Sequence, residues 1–193
     1  MATMQLNGTV SPDRPLLVLA VAEEAAHLET DLPVLLTGMG KVNASTALAT
    51  VLARGPLPSE VINLGTAGAL RPGLQGHVHE IGTVLQHDLD AALLRTLTGH
   101  LSGGPLTLAA KGVTLATGDV FVSDPAARDR LAELADLVDM EGYALASVAQ
   151  RADVPVRLVK HVSDEAGEGA ARAWREAVDD CAKVLAGWVR DHV

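Results

Sequence analysis

The chain reads as α/β: a single three-layer α/β/α domain, residues 1–193, around a mixed, mostly parallel central sheet. Three observations predict this. Short apolar runs such as Leu16-Leu17-Val18-Leu19-Ala20-Val21-Ala22 are continuous rather than alternating, which marks strands buried on both faces. Segments of helical character stand between these runs, as they do in sheets covered on both sides. The runs stop at polar or glycine-rich stretches, and in open α/β sheets ligands bind beyond the carboxyl ends of the strands.

Residues Met1 to Arg14 are polar and turn-rich, suiting a short strand or a loose arm. The run from Leu16 to Ala22 is the first buried strand, and Glu23-Glu24 follows at once, with a helix expected over Ala25 to Glu29. Pro33 to Leu36 is a second strand, ending in Thr37-Gly38-Met39-Gly40-Lys41-Val42-Asn43. An alanine-rich helix then runs from about Asn43 to Arg54. Val61 to Leu64 is a third strand, and it opens into a loop at Gly65-Thr66-Ala67-Gly68-Ala69-Leu70. Glycines at two such places let the backbone approach a ligand and offer it N–H groups. Val78 to His87 has period-2 character, Ala91 to Leu97 suits a helix, and His100 to Pro105 is a loop. Thr114 to Thr117 is another strand. Asp124-Pro125 then reads as a cap and first turn of a helix. Val138-Asp139-Met140-Glu141-Gly142 puts two carboxylates where an apolar run becomes a helix, Tyr143 to Ala152. Val154 to Val159 is a strand opening into Lys160-His161-Val162-Ser163-Asp164-Glu165-Ala166, and an amphipathic helix from about Ala170 to Val189 ends the pattern.

Composition narrows the function classes. Hydrophobic residues make up 48% of the chain while aromatics make up 2%, so Ala, Val and Leu fill the core and each aromatic merits attention. A net charge of −9 disfavours a nucleic-acid backbone as partner and suits a small molecule. No apolar run approaches membrane-spanning length and no leader pattern opens the chain, so a cytoplasmic protein without membrane contact is expected. The single cysteine, Cys181, falls on the inner face of the last helix and reads as a small core hydrophobe. No cofactor or metal is expected. Gly38-x-Gly40 lacks the third glycine of a dinucleotide fingerprint, where Asn43 stands. His77, His79 and His87 lack a Cys or Glu-x-x-His companion.

The acids just after buried strands carry more weight. Glu23 or Glu24, Glu141 and Asp164 each have an ordinary structural explanation as helix-start or turn residues. Together they stand at strand ends that face one side of the sheet.

At this point the motifs resemble a family. Thr37-Gly38-Met39-Gly40-Lys41-Val42, Asn63-Leu64-Gly65-Thr66-Ala67-Gly68, Thr117-Gly118-Asp119-Val120-Phe121-Val122, Val138-Asp139-Met140-Glu141-Gly142 and Val162-Ser163-Asp164-Glu165-Ala166 occur in the order seen in bacterial methylthioadenosine/S-adenosylhomocysteine nucleosidases. These belong to the nucleoside phosphorylase/nucleosidase superfamily, with futalosine hydrolase a further relative. The resemblance runs from about Leu16 to the C-terminus. It implies hydrolysis of the N-glycosidic bond of a purine nucleoside, and a homodimer. Met140 and Glu141 would hold the ribose, and Phe121 would stack on the base, with Val122 bonding to it through its backbone. Thr66, Ala67 and Gly68 would lie near the sugar. Ser163 would sit beside Asp164, which would protonate the base. The family's water-activating glutamate matches Glu24 or Glu23. Glu24 is preferred, because one deletion in the loop then brings Leu28 onto the family's apolar helix position.

The chemistry implied is coherent. Breaking the bond expels a purine anion unless a neutral acid protonates the base, and burial favours a protonated Asp164. A negative Glu141 would offset the charge of an oxocarbenium-like sugar. A phosphate-dependent phosphorylase is the alternative. It is disfavoured by Asn63, where phosphorylases carry an arginine, and by Glu23-Glu24 in place of a phosphate loop. A non-catalytic nucleoside-binding protein is the third reading. The chain departs from the family by shortening between His87 and Thr107, which leaves the 5′ substituent open, and by Lys160 in place of an arginine. The Trp174 region also resembles futalosine hydrolases.

Overall fold

A computed structural model describes residues 4–193; Met1, Ala2 and Thr3, part of the expected N-terminal arm, lie outside the described residues. The strands are β1 (Gln5–Asn7), β2 (Leu16–Leu19), β3 (Val34–Leu36), β4 (Val61–Ala69), β5 (Val78–Gln86), β6 (Leu106–Thr107), β7 (Val113–Thr117), β8 (Leu137–Asp139) and β9 (Val156–Asp164). The helices are α1 (Lys41–Arg54), α2 (Ala91–Thr98), α3 (Pro125–Ala132), α4 (Gly142–Arg151) and α5 (Ala170–His192).

Alternation along the continuous apolar strands builds three layers. Leu16, Val18 and Val61 point to one face and pack with α1 and α4 through Leu48, Val51, Leu145 and Ala149. Leu17, Leu19, Ile62 and Leu64 point to the other and pack under α5 against Leu185, Trp188 and Val189. Each fully buried leucine of this kind contributes roughly 1.5–3 kcal/mol of transfer free energy. Five of the nine strand pairings are parallel and four antiparallel, so the sheet is mixed and mostly parallel.

β4 holds the sheet together. Its first three residues pair with β2, its last two with β8, and Val61 to Gly68 with β9. Because β9 also pairs with β5, and β5 reaches β8 through β7, part of the sheet closes on itself around Leu115, Leu137, Leu158 and Ile81. This ring corrects two expected loops. Gly65 to Leu70 does not open out after Leu64: the strand continues to Ala69, since β9 supplies partners for every residue from Val61 to Gly68. Likewise Lys160 to Asp164 is strand, not loop, and Asp164 is its last residue. The expected helix over Ala25 to Glu29 is absent. Residues 22–27 form successive tight turns, with Ala25 N–H bonded to Ala22 O and Leu28 N–H to Ala25 O. A five-residue segment has too few hydrogen bonds to sustain a helix by itself.

Candidate active site

All ten residues singled out in the sequence line one cavity of about 210 Å³: Glu24, Thr66, Ala67, Gly68, Phe121, Val122, Met140, Glu141, Ser163 and Asp164. Five stretches of chain bring them there: the turn after β2, the second half of β4, the segments after β7 and β8, and the end of β9.

Glu24 is buried, while Glu23 is exposed on the turn and absent from the cavity wall. Glu24 Oε1 accepts the Thr66 backbone N–H at 2.7 Å and the Thr66 hydroxyl at 2.8 Å; Oε2 accepts only a longer bond from Ala20 N–H, 3.3 Å. The Thr66 hydroxyl in turn accepts the indole N–H of Trp174 at 2.9 Å, so its own proton is committed to Glu24. Gly65 is a glycine because a Cβ there would stand 3.2 Å from Lys160 Nζ and 3.3 Å from Glu24 Oε1.

Asp164 closes the strand end of β9. Its Oδ2 accepts the Ser163 hydroxyl at 2.8 Å and its Oδ1 the Ala166 N–H at 2.9 Å. Ala166 adopts φ 49 to make that bond, a left-handed conformation costing on the order of 1 kcal/mol for a residue with a Cβ. Gly68 leaves room for the acid, since a Cβ would approach Asp164 Oδ1 to 3.1 Å. Burial raises the Asp164 pKa against the opposing effect of the two donors.

Glu141 lies at the N-cap of α4, but its side chain caps nothing there; Oε1 accepts the Gly40 N–H at 2.7 Å. The Gly38–Gly40 loop thus gives its N–H to a protein carboxylate, and the next amide, Lys41, gives its own to Asp119 at 2.7 Å. The expectation that these amides are offered to a ligand is corrected accordingly. Burial first, and then the neighbouring charge of Asp139, push the Glu141 pKa up to about 8. Near neutral pH a pKa of about 8 favours a protonated Glu141, which differs from the charged form expected for it.

The cause lies underneath. Lys160 is fully buried, and its ammonium pairs with Asp139 at 2.9 Å. Asp139 also accepts the Thr117 hydroxyl at 2.6 Å and the Gly142 N–H at 2.8 Å. Asp139, Glu141 and Glu24 all hold the Lys160 pKa up against its burial. This buried cation is thus claimed first by Asp139, leaving Glu141 short of compensation.

The sequence marks Lys160 only as a replacement for an arginine, with no role, and does not place Met39, Val120, Trp174 or Arg175 in the cavity wall, where those four stand. A lysine directly after the apolar pair Leu158-Val159 was the available signal for Lys160. The segment His87-Asp88 supports the site from outside the cavity. Asp88 pairs with Lys41 and accepts the Asp119 N–H at 2.9 Å, anchoring the stretch that leads to Phe121. Cys181 is buried on α5 with its sulfur 3.2 Å from His161 Nδ1, and burial raises its thiol pKa to about 11, which suits a packing role.

Residues 27–190 match the profile of the phosphorylase superfamily. The chain belongs to that superfamily. Within it, the chain is 32% identical over 171 residues to a 5′-methylthioadenosine/S-adenosylhomocysteine nucleosidase of Marinomonas sp. (strain MWYL1), covering 76% of this chain and 73% of that one. It is 33% identical to the nucleosidase of the same description from Anoxybacillus flavithermus, over 68% of this chain and 67% of the other. Among solved structures, a futalosine hydrolase mutant of Helicobacter pylori superposes with a TM-score of 0.81 at 21% identity, covering 92% and 97% of the two chains. The methylthioadenosine/S-adenosylhomocysteine nucleosidase of the same organism, bound to butyl-thio-DADMe-Immucillin-A, superposes at 0.80 and 20% identity, over 93% and 97%. Both structures share this superfamily member's fold. Among the described residues, no helix is long and apolar enough to cross a membrane.

The raised Glu141 pKa has a measurable consequence for this superfamily member. The unfolded chain releases this proton near 4.5, whereas the folded protein holds it to about 8. The native state binds more protons in that window, so stability falls as pH rises through it. Thermal unfolding followed from pH 6.5, above the range in which His87 and His161, their pKa values lowered by burial, act in the opposite sense, up to pH 8 should show a falling midpoint. Glu141→Gln should flatten the slope, leaving the part due to Asp164. A variant slope as steep as the wild type's would count against the assignment.

Proposed function

We propose that the protein is an N-glycosyl hydrolase that cleaves a 5′-substituted purine nucleoside into free base and sugar. The carrying observation is the convergence of Glu24, Glu141 and Asp164 on one cavity of about 210 Å³. Kinship with nucleosidases over three-quarters of the chain supports the reaction class.

In this reading Asp164, whose pKa burial raises, gives its proton to the purine as the glycosidic bond lengthens, so the base leaves neutral. Phe121 and Val122 flank the base. Glu141 hydrogen-bonds the ribose hydroxyls over Met140, and positive charge gathering on the sugar draws its carboxyl toward the ionised form. Glu24 takes a proton from the attacking water. Its Oε1 is held by two donors from Thr66, so Oε2, with only the long Ala20 contact, is the oxygen left for that proton.

Hydrolysis is favoured over phosphorolysis by Glu24 itself. An acid on the cavity wall repels a phosphate dianion and suits a neutral water. Asn63, where phosphorylases carry an arginine, is buried and bonded to Val18 O at 3.0 Å. The deciding experiment is release of free base from methylthioadenosine, S-adenosylhomocysteine, adenosine, inosine and futalosine, with and without phosphate. Release without phosphate supports the reading, and strict phosphate dependence sinks it. Binding of nucleosides without turnover would instead favour the non-catalytic reading. Glu24→Gln keeps an acceptor for Thr66 and should lower kcat about 10²-fold or more; unchanged turnover would remove Glu24 from the mechanism.

The partner expected from the resemblance is a second copy of the chain. Helix α2 has no buried residue, and Leu93 and Leu97 are 51% and 70% exposed, which supplies apolar surface for such contact. Sedimentation of the protein as a monomer at assay concentration would argue against the dimer.

A further inference from the structure

Resting on the nucleosidase reading above, we propose that Arg175 selects substrates whose 5′ substituent ends in a carboxylate. The cavity wall carries Glu24, Asp139, Glu141 and Asp164, and among the described residues Arg175 is its one cation. Lys160, the nearby buried cation, is committed to Asp139. Arg175 is exposed and enters none of the ion pairs of the described residues; its neighbours on α5 pair among themselves, Arg172 with Glu176 and Lys183 with Asp179 and Asp180.

Its position follows from what the rest of the cavity is used for. Asp164, Phe121 and Val122 define the base end, and Glu141 with Met140 the ribose. The wall that remains for the 5′ substituent includes Ala20, Val21, Met39, Trp174 and Arg175. Trp174 is held in place by its bond to Thr66, and Arg175 is the next residue on the same helix. A chain leaving the ribose there would run along apolar surface and then meet a guanidinium. The fork of that group matches a carboxylate, with up to two parallel hydrogen bonds. Elsewhere an anionic tail would face a protein of net charge −9 and a cavity of acids, so one free arginine has a large share in admitting it.

The test compares kcat/KM for S-adenosylhomocysteine with that for its analogue in which hydrogen replaces the carboxylate, in the wild type, Arg175→Gln and Arg175→Glu. The wild-type ratio should exceed one and shrink with added salt, because the contact is exposed. Arg175→Gln should lower it about two- to five-fold, and Arg175→Glu further. A ratio unmoved by both variants overturns the inference. Phosphate is the other anion an arginine here could hold. If inorganic phosphate speeds base release in the wild type but not in Arg175→Gln, Arg175 serves phosphate and the inference falls. If the wild type releases no base from any nucleoside, it is the nucleosidase reading that fails. Calorimetric binding of the same two compounds then still reads the carboxylate preference, with equal affinities counting against Arg175.

Discussion

Asp164→Asn is expected to lower kcat for base release by about 10²–10⁴-fold, the range for losing a positioned general acid. The amide can still accept the Ala166 N–H and donate to Ser163, so the strand end keeps its shape while the transferable proton is gone. The pH profile separates this from a structural loss. Burial raises the Asp164 pKa, and the active form is the protonated one, so wild-type kcat should fall as pH rises through that pKa. The variant should keep its low rate without that alkaline limb. Turnover near the wild-type level, or an unchanged limb, would take the acid role away from Asp164.

Lys160→Met is the second large effect. It leaves Asp139 buried with no cation, and breaking a buried pair from one side costs about 3–5 kcal/mol. For a protein of this size that corresponds to a drop in Tm of roughly 6–20 °C. Removing the ammonium also deprives Glu141 of the neighbouring charge that opposes its raised pKa, driving it higher still. The double variant Asp139→Asn with Lys160→Met should recover much of the loss, since no unpaired charge remains. If the single and double variants melt together, the pair is not what holds this part of the site.

Both effects originate where β4 and β9 run side by side, and this is the region that local sequence reading described least well. Gly65-Thr66-Ala67-Gly68 has the composition of a loop, and Lys160 to Asp164 has the polarity of one. They are strand because each supplies the other's hydrogen bonds, in register from Val61 with Val156 to Ala67 with Val162 and, after a one-residue shift, Gly68 with Asp164. The partners lie nearly a hundred residues apart, and no periodicity within either segment reports such a pairing. The converse holds after β2, where acids and alanines suggest the start of a helix and the chain instead makes successive tight turns.

The sequence by itself determined the α/β class, because strands buried on both faces require unbroken apolar runs and helices between them require their own period. It also named ten of the residues that line the cavity, because ordered motifs resembling a known family include Glu141 and Asp164, and the family's apolar helix position, matched to Leu28, favoured Glu24 over Glu23. Only the tertiary structure decided how those acids are charged. Burial and the distance between side chains set pKa values, and both come from contacts between distant segments. Asp139 takes the Lys160 ammonium, Glu141 is left raised to about 8, and Trp174 reaches Thr66 and through it Glu24. Arg175 reached the same wall because α5 packs across β4 and β9, a placement that no local pattern in the chain encodes.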